Sequence, residues 1–140
     1  MSLYLDASVI VPTLVDEAGS AAVARFLAAA TARLIVSDFT AAEVASALSR
    51  LVRMALLSSK DAAARLREFD VWRASASDPI DFQPSDFRLA NIFVRNFDLS
   101  LRAPDAVHTA VCRRGDLTLV TLDRRLANAA EALGVRVATP

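Results

Sequence analysis

Short apolar runs that stop abruptly at a polar residue recur along the chain and predict buried strands. The first run stops at Asp6, the third stops at Asp123, and the fourth follows Gly134. A weaker candidate spans residues 79–82. The four clear candidate strands are 3–5, 33–36, 118–122 and 135–137.

Alanine-rich segments between these strands carry apolar residues at helical spacing. The clearest segment runs from about 38 to 57, where Val44 and Leu48 belong to one apolar stripe. Gly115 and Gly134 each follow a helical segment, at positions where a left-handed helix cap is expected. The remaining predicted helices are 21–30, 59–76, 85–97, 104–114 and 124–133.

Strands that alternate with helices predict right-handed crossovers and a mostly parallel sheet with helices on both faces. We therefore predict a three-layer α/β/α sandwich around a sheet of four or five strands. The chain of 140 residues has the length of one domain, so residues 1–140 are expected to share a single core. Ligands of such folds bind outside the carboxyl ends of the strands, which makes the residues after each strand the functional candidates.

Four carboxylates are expected to gather at that edge of the sheet. Asp6 and Asp123 directly follow apolar strands, Glu43 lies near the start of the long helix, and Asp105 begins a later helix. Taken singly, each has a structural explanation as a helix cap or dipole partner, and the segment from Thr40 to Glu43 matches a capping box. Together the carboxylates repel one another unless a cation binds, so Asp6→Asn is expected to raise the melting temperature in chelator.

The residue types available to such a cation are limited. One cysteine and one histidine exclude a zinc site built from Cys and His ligands. Carboxylate oxygens favour Mg²⁺ or Mn²⁺, and two such ions about 3.5–4 Å apart suit hydrolysis of a phosphodiester bond. Ser8 and Thr121 each lie two residues from a carboxylate and are candidates to support the site. Their structural alternatives are a turn-forming serine and an ordinary strand threonine.

Basic and acidic side chains number 16 each, and this balance argues against nucleic-acid binding by bulk electrostatics. A local patch stays open, because Arg102, Arg124 and Arg125 lie near two of the carboxylates in sequence. Arg113 and Arg114 fit a solvated helix end better. No stretch is apolar for long enough to span a membrane, and the first strand begins almost at the first residue, so we expect a cytoplasmic protein.

Other arrangements of the same residues remain as alternatives. Asp105, His108 and Cys112 share one helical face, which allows a mixed metal site, although the apolar neighbours favour a packed histidine beside a buried thiol. A hydrolase triad of Ser8, His108 and Asp105 lacks the Gly-x-Ser-x-Gly elbow. The non-enzymatic alternative is an interaction module whose acidic pocket binds a partner's arginine.

The chain has more large apolar side chains than are needed to pack against a small sheet. They lie in the segments 59–76 and 85–97. Core packing accounts for most of them, and the rest are candidates for a surface that binds a second copy or another protein. The side chains are Leu66, Phe69, Val71, Trp72, Phe87, Ile92, Phe93 and Phe97.

Four short motifs in sequence order carry a resemblance to a known family. They are Tyr-Leu-Asp6-Ala-Ser8-Val-Ile, Thr40-Ala-Ala-Glu43-Val-Ala-Ser-Ala-Leu, Ala-Pro-Asp105-Ala-Val-His108-Thr-Ala and Val-Thr121-Leu-Asp123-Arg-Arg-Leu. Over almost its whole length the sequence resembles PIN-domain nucleases, and in particular the VapC toxins of type II toxin–antitoxin systems.

That resemblance implies an activity, a cofactor and partners. The implied activity is a Mg²⁺- or Mn²⁺-dependent endoribonuclease that acts on RNA, forms a homodimer and is inhibited by a small cognate antitoxin of the VapB type. The family's acidic positions correspond to Asp6, Glu43, Asp105 and Asp123, and a frequent hydroxyl position corresponds to Ser8.

Overall fold

A computed structural model describes residues 1–140 and contains one four-stranded parallel sheet. The strands are β1 (Ser2–Leu5), β2 (Arg33–Ile35), β3 (Thr118–Val120) and β4 (Val137–Ala138). Their order across the sheet is β2-β1-β3-β4, so β1 is an interior strand. Leu3 on β1 pairs with Leu34 on one side and with Thr118 on the other. The carboxyl ends of β1, β2 and β3 therefore lie side by side.

Seven α-helices and one short 3₁₀ helix connect and cover the strands. None of the helices is both long and apolar enough to cross a membrane. The helices are α1 (Ala7–Leu14), α2 (Ser20–Ala29), α3 (Asp38–Arg53), α4 (Ser59–Ala76), α5 (Pro84–Val94), the 3₁₀ helix Phe97–Leu99, α6 (Ala103–Gly115) and α7 (Arg124–Ala132).

Alternation of side chains along β1 sends its residues into two separate cores. Leu3 and Leu5 pack with side chains from α1, α2, α3 and α4. Tyr4 points to the opposite face, where α6 and α7 cover the sheet, and α5 packs on α6 through Phe93. Each fully buried aliphatic side chain in these cores stabilises the fold by about 1.5–3 kcal/mol. The predicted three-layer α/β/α sandwich is confirmed, with four strands.

Helix α1 is the element that the sequence pattern did not predict. It is eight residues long, it begins one residue after β1, and Pro12 lies inside it. A proline removes a backbone donor and normally interrupts a helix. Burial of Val9 and Ile10 in the sheet core outweighs that cost. Because α1 begins at Ala7, Asp6 occupies its N-cap position at the end of β1.

The predicted strand at 79–82 is wrong. The chain makes a single parallel bridge to β2 one residue earlier, between Asp78 and Ile35. Asp78 donates its amide to the carbonyl of Leu34 at 2.8 Å and accepts from the amide of Val36 at 3.1 Å. Pro79 has no N–H with which to continue the ladder, so the strand stops there.

Three predicted helix ends also need correction. Helix α5 ends at Val94 and not at residue 97, and Phe97 begins the 3₁₀ helix that follows. Helix α3 ends at Arg53 and not near residue 57, because Ala55 adopts a left-handed conformation with φ of 57°. Gly115 is the last helical residue of α6, and the left-handed cap falls on Asp116 with φ of 51°. The left-handed conformation expected at Gly134 is present, with φ of 79°.

A buried ion pair joins the start of α5 to the end of α6. The carboxylate of Asp86 is 1% exposed and accepts from Nε of Arg114 at 2.7 Å and from Nη2 at 3.0 Å. The amide of Gln83 also donates to this carboxylate. Arg114 is therefore no solvated helix-end charge, in contrast to the sequence interpretation. Arg113 instead lies over the ring of Phe93.

Candidate active site

Asp6 is a buried carboxylate held by two hydroxyl groups. Ser8 donates to its Oδ1 and Thr121 donates to its Oδ2, each at 2.6 Å. Burial raises the pKa of Asp6, while the hydrogen bonds from Ser8 and Thr121 oppose that rise. The structure thus brings both supporting residues of the sequence prediction to the same carboxylate.

The two hydroxyl groups are themselves oriented by the backbone after β3. The amide of Leu122 donates to Oγ of Ser8 at 2.8 Å, and the amide of Asp123 donates to Oγ1 of Thr121 at 3.0 Å. A hydroxyl has one proton, and here each proton points to Asp6. Asp6 is therefore surrounded by donors, which supports its ionised form. A triad of Ser8 with His108 and Asp105 is not assembled.

Glu43 lies on α3, one turn beyond a well-formed helix start. The cap of α3 is Ser37, whose Oγ accepts from the amide of Thr40 at 3.0 Å. The capping-box explanation of Glu43 is therefore wrong. Its Oε1 contacts Nε2 of His108, which lies on α6. Glu43 keeps Oε2 free of other protein donors.

The imidazole of His108 is buried and contacted on every side. Its Nδ1 lies 2.7 Å from the hydroxyl oxygen of Tyr4, and its ring stacks on Phe39 with centroids 4.9 Å apart. The Tyr4 hydroxyl also lies 2.7 Å from Oγ of Ser37. Burial raises the pKa of Tyr4 above its ordinary value, so the phenol keeps its proton.

Sequence reasoning missed Tyr4 as a polar contributor and treated it as part of an apolar strand. A signal was present in the alternation of β1, because Tyr4 points away from the face that receives Leu3 and Leu5. That places its hydroxyl on the side covered by α6. The partner itself, His108, is 104 residues away and was not predictable from local pattern.

Asp105 is half-buried in the first turn of α6. Burial raises its pKa most, the charge of Asp123 raises it further, and Glu43 adds to the same effect, while the charge of Arg102 lowers it. The hydroxyl of Thr109 donates to the main-chain carbonyl of Asp105 and leaves the carboxylate free. Asp105 therefore lies in the negative field of two other predicted site residues.

Asp123 is the N-cap of α7. Its Oδ1 accepts from the amide of Arg125 at 2.9 Å and from the amide of Leu126 at 3.2 Å. A cap of this kind contributes about 0.5–2 kcal/mol to helix stability. The structural explanation considered for this residue is thus present in the structure, and Oδ2 remains without a protein donor.

The donor set was compared with what a hard divalent cation requires. No group of three or more His, Cys, Asp or Glu side chains is arranged to hold a metal ion. Asp6, Glu43 and Asp123 each accept a hydrogen bond from a protein donor. Their chemistry still fits such an ion, because all are carboxylates and Asp105 has a raised pKa beside Asp123 and Glu43.

The mixed site suggested by Asp105, His108 and Cys112 is not formed. Cys112 is fully buried, and burial raises its pKa. His108 uses both ring nitrogens on protein partners. Both residues therefore belong to the packed interior of α6, as their apolar neighbours indicated.

Three arginines flank the carboxylates with exposed side chains. They are Arg102, Arg124 and Arg125. Arg102 is close enough to Asp105 to lower the pKa of that carboxyl. Arg124 and Arg125 form the first turn of α7, directly after the Asp123 cap. Cationic side chains thus border the acidic site.

A separate cavity lies away from these carboxylates. It has a volume of about 720 Å³, and its walls include Met1, Leu3, Phe26 and Val137. None of the four predicted site carboxylates contributes to it. Its walls are mostly apolar, and the charged side chains among them, Glu131 and Arg136, are not among the predicted site residues.

Comparisons with known structures agree with this fold. The fold is similar to VapC20 from Mycobacterium tuberculosis, a sarcin–ricin loop cleaving toxin, with a TM-score of 0.75, 16% identity and 99% of both chains covered. It is also similar to VapBC2 from Rickettsia felis, with a TM-score of 0.72, 15% identity, and 100% of this chain and 99% of that chain covered.

A third similar fold is FitAcB from Neisseria gonorrhoeae, with a TM-score of 0.70, 20% identity, and 96% and 95% of the two chains covered. No curated protein matches the chain by sequence. The family model described as PIN domain matches residues 3–132, a span that includes all four predicted site carboxylates. The chain therefore belongs to the PIN domain family.

Proposed function

We propose that this protein is a metal-dependent endoribonuclease and the toxin of a toxin–antitoxin pair. The observation that carries the proposal is that the carboxylate of Asp105, which no protein donor contacts, lies close to Asp123 and Glu43 at the carboxyl edge of a PIN-domain sheet. Carboxylates that raise one another's pKa destabilise the chain unless a cation compensates them. Structural similarity to VapC20, itself a cleaving toxin, supports the same assignment.

Asp6, Glu43, Asp105 and Asp123 are the residues proposed to hold Mg²⁺ or Mn²⁺. A bound ion of this type supplies an activated water and neutralises charge on the scissile phosphodiester. The hydrogen bonds from Ser8 and Thr121 favour the ionised form of Asp6 against the effect of burial, and they fix the orientation of its carboxylate. Asp105 contributes the carboxylate that no protein donor occupies.

Arg102, Arg124 and Arg125 are proposed to bind RNA phosphates beside these carboxylates. Each is exposed and lies within three residues of a proposed ligand along the chain. Charge reversal by Arg124→Glu is expected to weaken RNA binding by about tenfold, as loss of a phosphate contact does. Filter binding in Ca²⁺ buffer measures this, with Arg67→Glu on the exposed face of α4 as control. Equal affinity of both variants would remove Arg124 from the interface.

A VapB-like antitoxin and a second copy of the chain are the proposed protein partners. Phe69 and Phe93 are buried in the cores, but Val71, Phe87, Ile92 and Phe97 are exposed. Exposed apolar side chains of this size are typical of interaction surfaces. Some structurally similar proteins are VapBC and FitAB assemblies, which supports an antitoxin partner. Sedimentation is expected to show a dimer, and a monomer at micromolar concentration would contradict the homodimer.

The deciding experiment is cleavage of a mixed RNA substrate by purified protein. We expect cleavage with Mg²⁺ or Mn²⁺ and none with EDTA, because the carboxylates alone cannot activate water. Asp70→Asn on the exposed face of α4 is the matched control and is expected to cleave like wild type. Intact RNA in the presence of protein that binds Mn²⁺ would favour the alternative, an interaction module whose acidic pocket binds a partner's arginine.

A further inference from the structure

We propose that His108 and Tyr4 are positioning residues for Glu43: the Tyr4 hydroxyl orients the imidazole so that its Nε2–H is donated to Oε1 of Glu43. This inference rests on the proposed function, because Glu43 matters here as a proposed cation ligand. Neither Tyr4 nor His108 touches the reacting groups in this scheme. Their role is to hold one carboxylate in a defined orientation.

The imidazole has no freedom to turn. His108 is 2% exposed and stacks on Phe39 with an angle of 19° between the rings. Both ring nitrogens have a single protein partner, Tyr4 at Nδ1 and Glu43 at Nε2. A rotated ring would lose both partners inside a packed core, at a cost of about 1–3 kcal/mol for each buried polar atom.

The direction of the hydrogen bonds follows from counting protons. A bare nitrogen lone pair against the Glu43 carboxylate would be repulsive, so Nε2 carries the hydrogen. Oγ of Ser37 accepts from a backbone amide, and the carbonyl of Leu5 offers an acceptor to Thr40 at 3.2 Å. Oγ of Ser37 also donates to Oγ1 of Thr40 at 3.2 Å, and Oγ1 of Thr40 lies 3.3 Å from the Tyr4 hydroxyl, to which it can donate. With its hydrogen on Nε2, the neutral imidazole has a lone pair at Nδ1, and the Tyr4 hydroxyl at 2.7 Å is the only donor that reaches it. The Tyr4 hydroxyl therefore donates to Nδ1 of His108.

The arrangement ties three elements of the site together. Tyr4 lies on β1, two residues before Asp6, so the same strand positions Asp6 directly and Glu43 through His108. His108 lies on α6, three residues after Asp105. Glu43 projects from α3 as a long side chain that is 31% exposed, and a fixed donor limits the conformations it can adopt. The contact thus links the position of Glu43 to those of Asp6 and Asp105.

The first test reads the tautomer directly. His108 is the only histidine in the chain, so its ring nitrogens give the only imidazole signals in a ¹⁵N NMR spectrum of the metal-free, full-length protein. We expect one tautomer, protonated at Nε2 and unprotonated at Nδ1, and a mixture of tautomers in Tyr4→Phe. A ring protonated at Nδ1, alone or together with Nε2, would overturn the proposed direction of the Tyr4 bond.

The second test measures affinity for Mn²⁺ alone by calorimetry. His108→Leu is expected to weaken binding by about tenfold or more, the usual effect of losing a group that orients a metal ligand. His108→Gln keeps an N–H donor and is expected to recover part of the loss. Tyr4→Phe removes one oxygen and is expected to weaken binding by a smaller factor. If His108→Leu fails to fold, Tyr4→Phe still tests the proposal.

Thr118→Val is the matched control, because it removes a buried hydroxyl from the amino end of β3. That end of the strand is opposite the carboxyl edge where the proposed ligands lie. Unchanged Mn²⁺ affinity in both Tyr4→Phe and His108→Leu, with RNA cleavage intact, would overturn the positioning role. The proposed nuclease function would then still hold. Wild-type protein that neither binds Mn²⁺ nor cleaves RNA would overturn both proposals. The NMR spectrum would then still report whether the contact with Tyr4 exists.

Discussion

Replacing Asp105 with Asn is expected to lower RNA cleavage by about 100-fold to 1,000-fold, the effect of removing one preorganised electrostatic group from an active site. The same substitution is expected to raise the melting temperature in EDTA by up to about 4 °C, the shift that 1 kcal/mol produces in a domain of this size. Activity and stability move in opposite directions because the charge that would serve the cation is unfavourable without it.

The gain in stability from Asp105→Asn should increase as pH rises. The pKa of Asp105 is raised in the folded protein, mainly by burial and then by Asp123, so the folded chain binds this proton more tightly than the unfolded chain does. Stability therefore falls as pH rises from about 3.9, the ordinary Asp value, through the raised pKa. The difference between Asp105→Asn and wild type should be absent below pH 3.9 and full at neutral pH.

Asp6→Asn is compared with Asp105→Asn for its effect on cleavage and on the melting temperature. It is also expected to lose cleavage, but its two hydroxyl donors lose a charged acceptor, so little or no gain in melting temperature should follow. The sequence alone predicted that Asp6→Asn would stabilise the chain. With the structure, we expect that stabilisation from Asp105→Asn instead, because the Asp105 carboxylate has no hydrogen bond from a protein donor to lose. A lower melting temperature for Asp105→Asn at neutral pH would show that the carboxylates do not repel one another.

Replacing Arg114 with Met is expected to destabilise the protein by about 3 kcal/mol, or roughly 10 °C in melting temperature. The substitution leaves the Asp86 carboxylate, which is 1% exposed, without its charged partner. The figure lies at the low end for buried pairs because the Arg114 side chain is 28% exposed. Urea denaturation followed by circular dichroism measures the change in unfolding free energy.

Arg113→Met is the matched control, since Arg113 lies on the same turn of α6 and its guanidinium lies over the Phe93 ring. It is expected to cost less than about 1 kcal/mol. The double variant Arg114→Met with Asp86→Asn should recover part of the loss, because it removes the unpaired charge. Equal stability of the two single variants would mean that the Asp86 pair contributes little to the packing of α5 on α6.

Much of the fold was predictable because the relevant signals are local. Apolar runs of three to five residues identified all four strands, although β4 begins two residues later than predicted. Helical spacing identified six of the seven α-helices. Helix α1 escaped because it is short and contains Pro12, so tertiary burial of Val9 and Ile10 had to decide its formation.

By itself, the sequence determined that β-strands alternate with α-helices in a parallel sheet, and from that order it predicted that Asp6, Glu43, Asp105 and Asp123 gather at one edge of the sheet. Local periodicity and residue order suffice for that conclusion. Only the tertiary structure decided which partner each carboxylate has. Thr121 reaches Asp6 across 115 residues, and His108 reaches Glu43 across 65. Whether two groups form a hydrogen bond depends on differences of a few tenths of an ångström in the distance between elements that are remote in sequence. A local sequence pattern contains no information about such distances.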